Sequence, residues 1–381
     1  MLIGINGSGK SNLLKALSLL KVGIEGNSEG NALQNFILSR YGGFDSIYCK
    51  SLGDHEYKNT IGLEFTLNGA MLSEYGPISF RDDIVYKIVL VRKGDAANYF
   101  ISEKIEAKNG FVYLDFYNGQ GKVSEKVGSA KPSFVQYDDY SPQELSLSKL
   151  SDFDKDRYLP LVTIKKALKD IFIYNYFDTT YKSKLRQSMA ATSSAQQLLP
   201  DGANLPQVLN QIKIHDKVSY KKIQERLADV NPYFSGFDFN FLGSGVFELM
   251  LDEKELDSSI HITHVSDGTL RYLCLLAILY NVRAGSVICI DEPEVGLHPD
   301  MIFNISRAIK EASAQATLVV TTHSVEMLNY FNLDQILVFD KREDNTTAVK
   351  AYTNEDFEGW YDQYLPGKMW KAGDLGGKRW Q

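Results

Sequence analysis

The sequence predicts an α/β protein whose phosphate-binding core is formed by both chain ends, with an antiparallel β region and a helical lobe inserted between them. Three observations carry this. Residues 4–11 read GINGSGKS and satisfy the phosphate-loop pattern G-x-x-x-x-G-K-[ST] without a mismatch. Residues 265–353 alternate helical periodicity with short apolar runs, the rhythm of a parallel sheet covered on both faces. Between these ends, residues 59–127 alternate apolar and polar side chains, and residues 141–230 are mainly of helical period.

The beginning of the chain is the most specific stretch. Met1-Leu2-Ile3 is a strand remnant leading into the loop, and Leu13, Leu14, Leu17 and Leu20 keep a helical spacing after it. Strand, glycine loop and helix together are what phosphate binding needs. Glycines let successive backbone N–H groups converge, and the helix N-terminus adds partial positive charge. Lys10 reaches the outer phosphates and Ser11 can ligate magnesium. Asn6, Gly7, Ser8, Gly9, Lys10, Ser11 and Asn12 are therefore the candidate nucleotide-binding residues. Only three residues precede Gly4, where a strand of about five is usual. A shortened start and a fold that accepts a stub are both open at this point.

Bulk properties narrow the class. A chain of 381 residues, 44% hydrophobic, is long enough for two or three domains with a sizeable core. Its net charge of −7 excludes a protein that coats nucleic acid without selection, so any such contact must be local. Cys49, Cys274 and Cys289 form no C-x-x-C pair, which argues against a zinc ribbon or a disulfide framework and for reduced, cytoplasmic thiols. The longest apolar run, Leu273 to Val282, is about half of the ~20 residues that span a bilayer, and no signal peptide opens the chain. No membrane association is expected.

The boundaries follow the changes of period. Residues 1–58 and 232–353 are assigned to the core, 59–140 to the β region, 141–231 to the helical lobe, and 354–381 to an aromatic and basic tail. In the lobe, Leu161, Ile164, Ala167, Leu168 and Ile171 keep a helical period. Residues 155–232 hold thirteen Lys plus Arg against seven Asp plus Glu, a candidate basic face or an ordinary solvated helical surface. The tail holds Trp360, Trp370 and Trp380 among Lys368, Lys371, Lys378 and Arg379, a set that suits packing on the core, partner docking or nucleic-acid contact.

Three later motifs carry chemistry. Residues 286–293, SVICIDEP, are a buried strand running into two carboxylates. Asp291 is placed at the carboxyl end of that strand, where it can hold magnesium beside Ser11, and Glu292 can polarise an attacking water as general base. Residues 317–324, TLVVTTHS, are a second buried strand ending in His323, positioned to sense a γ-phosphate. Residues 265–271, VSDGTLR, open an apolar helix; Ser266 is a good N-cap, and the helix N-terminal N–H groups with Gly268 make a candidate anion site.

In this order, GINGSGKS, VSDGTLR, VICIDEPEVGLHP and VVTTHS resemble the ATP-binding-cassette (ABC) ATPases of the SMC, RecF and OLD type, and most closely the stand-alone prokaryotic AAA-family ATPases with an SDGT-x-R signature. The resemblance rests on the two chain ends. It implies an ABC-type core that uses ATP and Mg2+. In it Gly4 to Ser11 are the Walker A loop, Asp291 and Glu292 the Walker B pair, and His323 the switch histidine. It implies Lys10, Glu292 and His323 as catalytic residues and Ser11 and Asp291 as metal ligands. Ser266, Asp267 and Gly268 would be the signature, which contacts the γ-phosphate held by a second copy, and residues 296–299 the D-loop equivalent. An adenine-stacking aromatic and a Q-loop glutamine are not assignable.

The resemblance further implies a homodimer or higher homo-oligomer around ATP that gates a separately encoded effector, such as a nuclease, in antiphage defence or DNA repair. The 58 residues after His323 are too few for a fused nuclease domain of about 100 residues. Two other readings stay open: an SMC- or RecF-like clamp that binds DNA or RNA through Lys165, Lys166 and Lys169 of the helical lobe, and an ATP-stabilised scaffold with negligible turnover.

Overall fold

A computed structural model describes residues 1–48, 59–94, 98–125, 133–149, 157–190, 196–357 and 365–376. The chain divides into two compact units, one of residues 1–11 and 172–381 and one of residues 12–171. Cys49, Trp360, Trp380, Lys378 and Arg379 lie outside the described residues.

The first unit is built on a six-stranded sheet in the order Thr347–Ala351, Leu337–Lys341, Leu2–Gly4, Thr317–Thr321, Val287–Asp291 and Ile171–Tyr174. Leu2–Gly4 pairs in parallel with a strand on each side, Leu2 standing opposite both Leu337 and Thr321. The backbone groups of these three residues are therefore met from both flanks. Val287–Asp291 runs parallel to Thr317–Thr321, with Asp291 directly opposite Thr321. That register aligns the carboxyl ends of the two strands that carry the conspicuous polar residues.

Helices Asp267–Leu279 and Pro299–Ala312 supply the buried apolar faces of this unit. Leu270, Leu273, Leu276, Ile305 and Ile309 share one core cluster with Ile3, Ile288, Ile290 and Val320. The helices Leu205–His215 and Lys217–Val230 contribute Val208, Leu209, Ile223 and Leu227 to the same cluster. A second, antiparallel sheet of Phe234–Leu242, Val246–Glu253, Ile260–His261 and Met189–Ala190 adds Phe237, Phe247 and Leu249.

The second unit contains a six-stranded antiparallel meander, taken in chain order from Thr60–Leu67 through Ile84–Arg92, Tyr99–Ala107, Val112–Tyr117 and Gln120–Glu125 to Ser133–Tyr137. Strict alternation buries Ile84, Tyr86, Ile88 and Leu90 on one face, as the period-2 pattern requires. Helix Ala32–Tyr41 has its first backbone donors satisfied from outside: Leu33 and Gln34 N–H donate to the Glu144 carboxylate at 3.0 and 2.9 Å.

Two readings of the lobe are corrected. The helix containing Leu161, Ile164, Ala167 and Leu168 ends at Lys169, and Ile171-Phe172-Ile173-Tyr174 is a strand. Four consecutive β-branched and aromatic residues favour that state, and a helical period cannot be told from such a short apolar run. The basic excess is also not one face. Lys165 is buried and donates to Ser148 O, Arg186 is buried, and Arg226 pairs with Glu311 at 2.8 Å. Charge counted along sequence includes such inward-facing cations.

Candidate functional site

The phosphate loop closes where geometry leaves room only for glycine. Gly4, Gly7 and Gly9 have φ of 149°, 78° and 106°, values that side-chain-bearing residues rarely adopt. A Cβ on Gly4 would collide with Phe339 O, and one on Gly9 would meet the Thr347 side chain at 2.5 Å. Thr347 in turn donates its hydroxyl to Ser8 O at 2.8 Å, which fastens the loop to the edge strand. Helix Lys10–Glu25 begins at once, so its unpaired N–H groups face the loop. Lys10 is buried and bonds back to Gly4 O at 2.7 Å and Ile5 O at 3.3 Å. Burial lowers its pKa, while the negative charges of Glu292 and Asp291 act in the opposite sense.

Two strands from the loop's own strand, Asp291 ends Val287–Asp291. Its Oδ1 accepts the hydroxyl of Thr321 at 2.5 Å, and the same Thr321 oxygen accepts Glu292 N–H at 3.0 Å. Glu292 has φ of 47°, the left-handed region, which is uncommon for a residue other than glycine. The turn carries its carboxylate to His323, whose Nε2 lies 3.4 Å from Glu292 Oε1. Burial and then the positive charge of Lys10 lower the His323 pKa, against the opposing pull of Glu292, Glu294 and Asp291. Lys10, Asp291, Glu292 and His323 thus act on one another electrostatically in one unit of the chain.

Ser266 precedes helix Asp267–Leu279, and Asp267 and Gly268 form its first turn. Ser266 and Asp267 are exposed, and Ser266 Oγ caps its helix by accepting Thr269 N–H at 3.2 Å. The loop before the helix is held by buried Arg186, whose Nη1 donates to Ile262 O, Thr263 O and Val265 O, and whose Nη2 reaches Asp267 Oδ1 at 2.6 Å. Arg271 stacks on Tyr176, its guanidinium carbon 4.3 Å from the ring centre, and donates to Val295 O at 3.3 Å. This joins the signature helix to the turn that follows Glu292.

Sequence reasoning missed three contributors. Thr321 binds both Asp291 and Glu292 and was readable only through its register opposite Asp291. Glu294, two residues past Glu292, accepts from Thr322 Oγ1 and His323 N, each at 2.7 Å. Asn175, Tyr176 and Phe177, which follow the unforeseen edge strand, line a cavity of about 190 Å3 together with Arg271, Asp291 and Glu292. No motif marks that loop.

The donor set fits a nucleotide triphosphate with a divalent cation. Gly7 has open space where a side chain would sit, and Ser8 Oγ is buried without a partner. Ser11 and Asp291 offer the hard oxygen ligands that Mg2+ takes.

The fold is that of an SMC head ATPase domain, with the phosphate loop of residues 4–11 leading from its central strand. An Smc head solved with the C-winged helix domain of ScpA has this fold, with a TM-score of 0.53 and 14% identity over 93% of this chain and 91% of that one. An Smc head with an extended coiled coil, bound to the C-terminal domain of ScpA from Pyrococcus furiosus, gives a TM-score of 0.47 at 12% identity over 95% of this chain and 92% of that one. No curated protein matches. Residues 1–329 match the family described as "AAA domain, putative AbiEii toxin, Type IV TA system", and the chain belongs to that family.

Proposed function

We propose that the chain binds ATP with Mg2+ at residues 6–12, pairs with a second copy through Ser266, Asp267 and Gly268, and hydrolyses the nucleotide to gate a separate effector. The observation that carries this is the shared Thr321 hydroxyl, which orients Asp291 and the Glu292 backbone beside His323. Mg2+, when bound by Ser11 and Asp291, would neutralise phosphate charge. Lys10 would supply a second positive charge against the outer phosphates, and its present bonds to loop carbonyls keep it at the mouth of the cradle. Glu292 would take the proton of the attacking water, with the His323 ring 3.4 Å from that carboxylate. The exposed signature has its helix N-terminus available to an anion presented by another molecule.

The family description, which names an AbiEii toxin and a Type IV toxin–antitoxin system, supports a setting in antiphage defence with a partner protein as effector. DNA repair is the other setting that the resemblance implies. Among the described residues no helix is long and apolar enough to cross a membrane. The deciding experiment is ATPase turnover of Glu292→Gln beside size measurement with and without ATP. Turnover should vanish while ATP-dependent dimers persist; retained turnover would remove Glu292 from the role of base.

A further inference from the structure

The turn after the Walker B strand carries a third carboxylate that the hydrolytic scheme does not use. Glu294 Oε1 receives two donors, the Thr322 hydroxyl and the backbone N–H of His323, both at 2.7 Å. Its other oxygen, Oε2, is buried and has no partner. Thr322 is fully buried, and its Oγ1 accepts Ser324 N–H at 3.0 Å. Ser324 Oγ then accepts Met327 N–H at 3.1 Å, capping the short helix that follows. One carboxylate thereby holds the His323 N–H directly and the Ser324 N–H through the Thr322 hydroxyl. The imidazole is left one-third exposed, 3.4 Å from Glu292.

Glu292 and Glu294 thus meet the same histidine from one turn, Glu292 at the ring and Glu294 at the backbone. One oxygen that accepts both bonds couples the Thr322 side chain to the His323 backbone. The left-handed φ of Glu292 has a matching role, since it turns the chain so that residues two apart reach one target. Buried polar atoms without partners are uncommon in folded proteins, and Oε2 is such an atom at a site where packing alone would select an apolar side chain.

We propose that Glu294 is the positioning residue of the switch histidine: it fixes the backbone from which His323 projects and acts on hydrolysis through His323 alone. This rests on the ATPase reading above. Glutamine at 294 can keep Oε1 and both of its bonds, whereas alanine removes them, so the two variants separate hydrogen bonding from bulk and charge.

The test compares the full chain with Glu294→Gln, Glu294→Ala, His323→Ala and Glu294→Ala/His323→Ala, measuring steady-state ATPase, binding of a fluorescent ATP analogue, and amide hydrogen exchange. Glu294→Ala should lower kcat on the order of tenfold or more with KM and analogue affinity changed less than about threefold, the signature of an interaction realised in the transition state. Glu294→Gln should recover kcat to within about threefold of the parent. In the His323→Ala background, Glu294→Ala should add nothing further, because residues acting as one unit are non-additive. Exchange of the His323 amide should quicken in Glu294→Ala and stay protected in Glu294→Gln. An additive double variant, a glutamine variant as impaired as alanine, or an unchanged His323 amide would each overturn the proposal. A parent chain that binds but never turns over ATP would refute hydrolysis, and the exchange result would still decide whether Glu294 holds the histidine.

Discussion

Thr321 Oγ1 stands between two adjacent carboxylate residues, donating to Asp291 Oδ1 at 2.5 Å and accepting Glu292 N–H at 3.0 Å. One hydroxyl can do both because it carries a proton and lone pairs. Thr321→Val keeps the shape of the side chain and removes both bonds, so Asp291 loses the donor that fixes its carboxylate. Outer partners of metal ligands typically contribute about 10–100-fold to metal affinity or activity. A magnesium titration of ATPase activity should show Thr321→Val needing on the order of tenfold more Mg2+, while Thr321→Ser stays near the parent. An unchanged titration would remove Thr321 from the metal's surroundings.

His323 should stay neutral to lower pH than a free imidazole. Burial is the largest cause, Lys10 the next, and Glu292, Glu294 and Asp291 oppose both. The signs give testable shifts: Lys10→Met should raise the His323 titration midpoint, and Glu294→Gln should lower it. Nuclear magnetic resonance of the ring protons reads both. Linkage follows the same sense. The unfolded chain takes up the proton first, so this histidine removes stability as pH falls below about 6.5 towards its lower folded value. Denaturant unfolding at pH 7.5 and 5.5 should therefore show the parent losing more stability than His323→Ala.

Arg186 is a buried cation whose donors are distributed over Thr179 O, Ile262 O, Thr263 O, Val265 O and Asp267 Oδ1, at 2.6–3.0 Å. Lysine cannot span that set, since the guanidinium is a planar fork and the ammonium a single point. Removing one partner from a buried, bonded charge costs about 3–5 kcal/mol, and Arg186→Met removes the charge while orphaning several carbonyls. A melting temperature lowered by several degrees is expected for Arg186→Met and a smaller drop for Arg186→Lys. If the arginine shapes the signature, Arg186→Lys should also weaken ATP-dependent dimers while leaving binding of ATP to the single chain intact. Dimers of normal affinity would confine Arg186 to a structural role.

The legible parts of this protein are those whose chemistry is local in sequence. The phosphate loop is a contiguous octapeptide with its helix attached, and the α/β core with an antiparallel region was readable from the change of period after residue 59. Asp291, Glu292 and His323 end apolar strands, so their place at the sheet's carboxyl edge followed from the βαβ rhythm. What stayed hidden depends on register or on distant pairing. Thr321 looks like strand filler until it stands opposite Asp291. Ile171–Tyr174 is too short to show its period, and Arg186 and Lys165 counted as surface charge although both are buried. Glu294 is one more polar residue of a turn until the backbone that it reaches is known.

Glu103, in the meander, is a carboxylate enclosed by the β region. Its Oε1 accepts the Tyr86 hydroxyl at 2.7 Å and Leu147 N–H at 3.3 Å, and its Oε2 accepts Ser146 N–H at 2.5 Å. The Tyr86 hydroxyl and the backbone N–H groups of Ser146 and Leu147 converge on it. Glutamine would turn an N–H2 group towards at least one of those donors, leaving a buried group unpaired at a cost of about 1–3 kcal/mol. Burial nevertheless raises the Glu103 pKa, outweighing the lowering effect of its hydrogen bonds. For a folded pKa above the unfolded one, stability is fully present below the unfolded value of about 4.5 and declines as pH rises through the folded value. Glu103→Gln has no such titration. Urea unfolding should therefore find the parent more stable than Glu103→Gln near pH 5, with the gap narrowing towards pH 8. A gap that widened with pH would mean that the three hydrogen bonds, rather than burial, set the ionisation of Glu103.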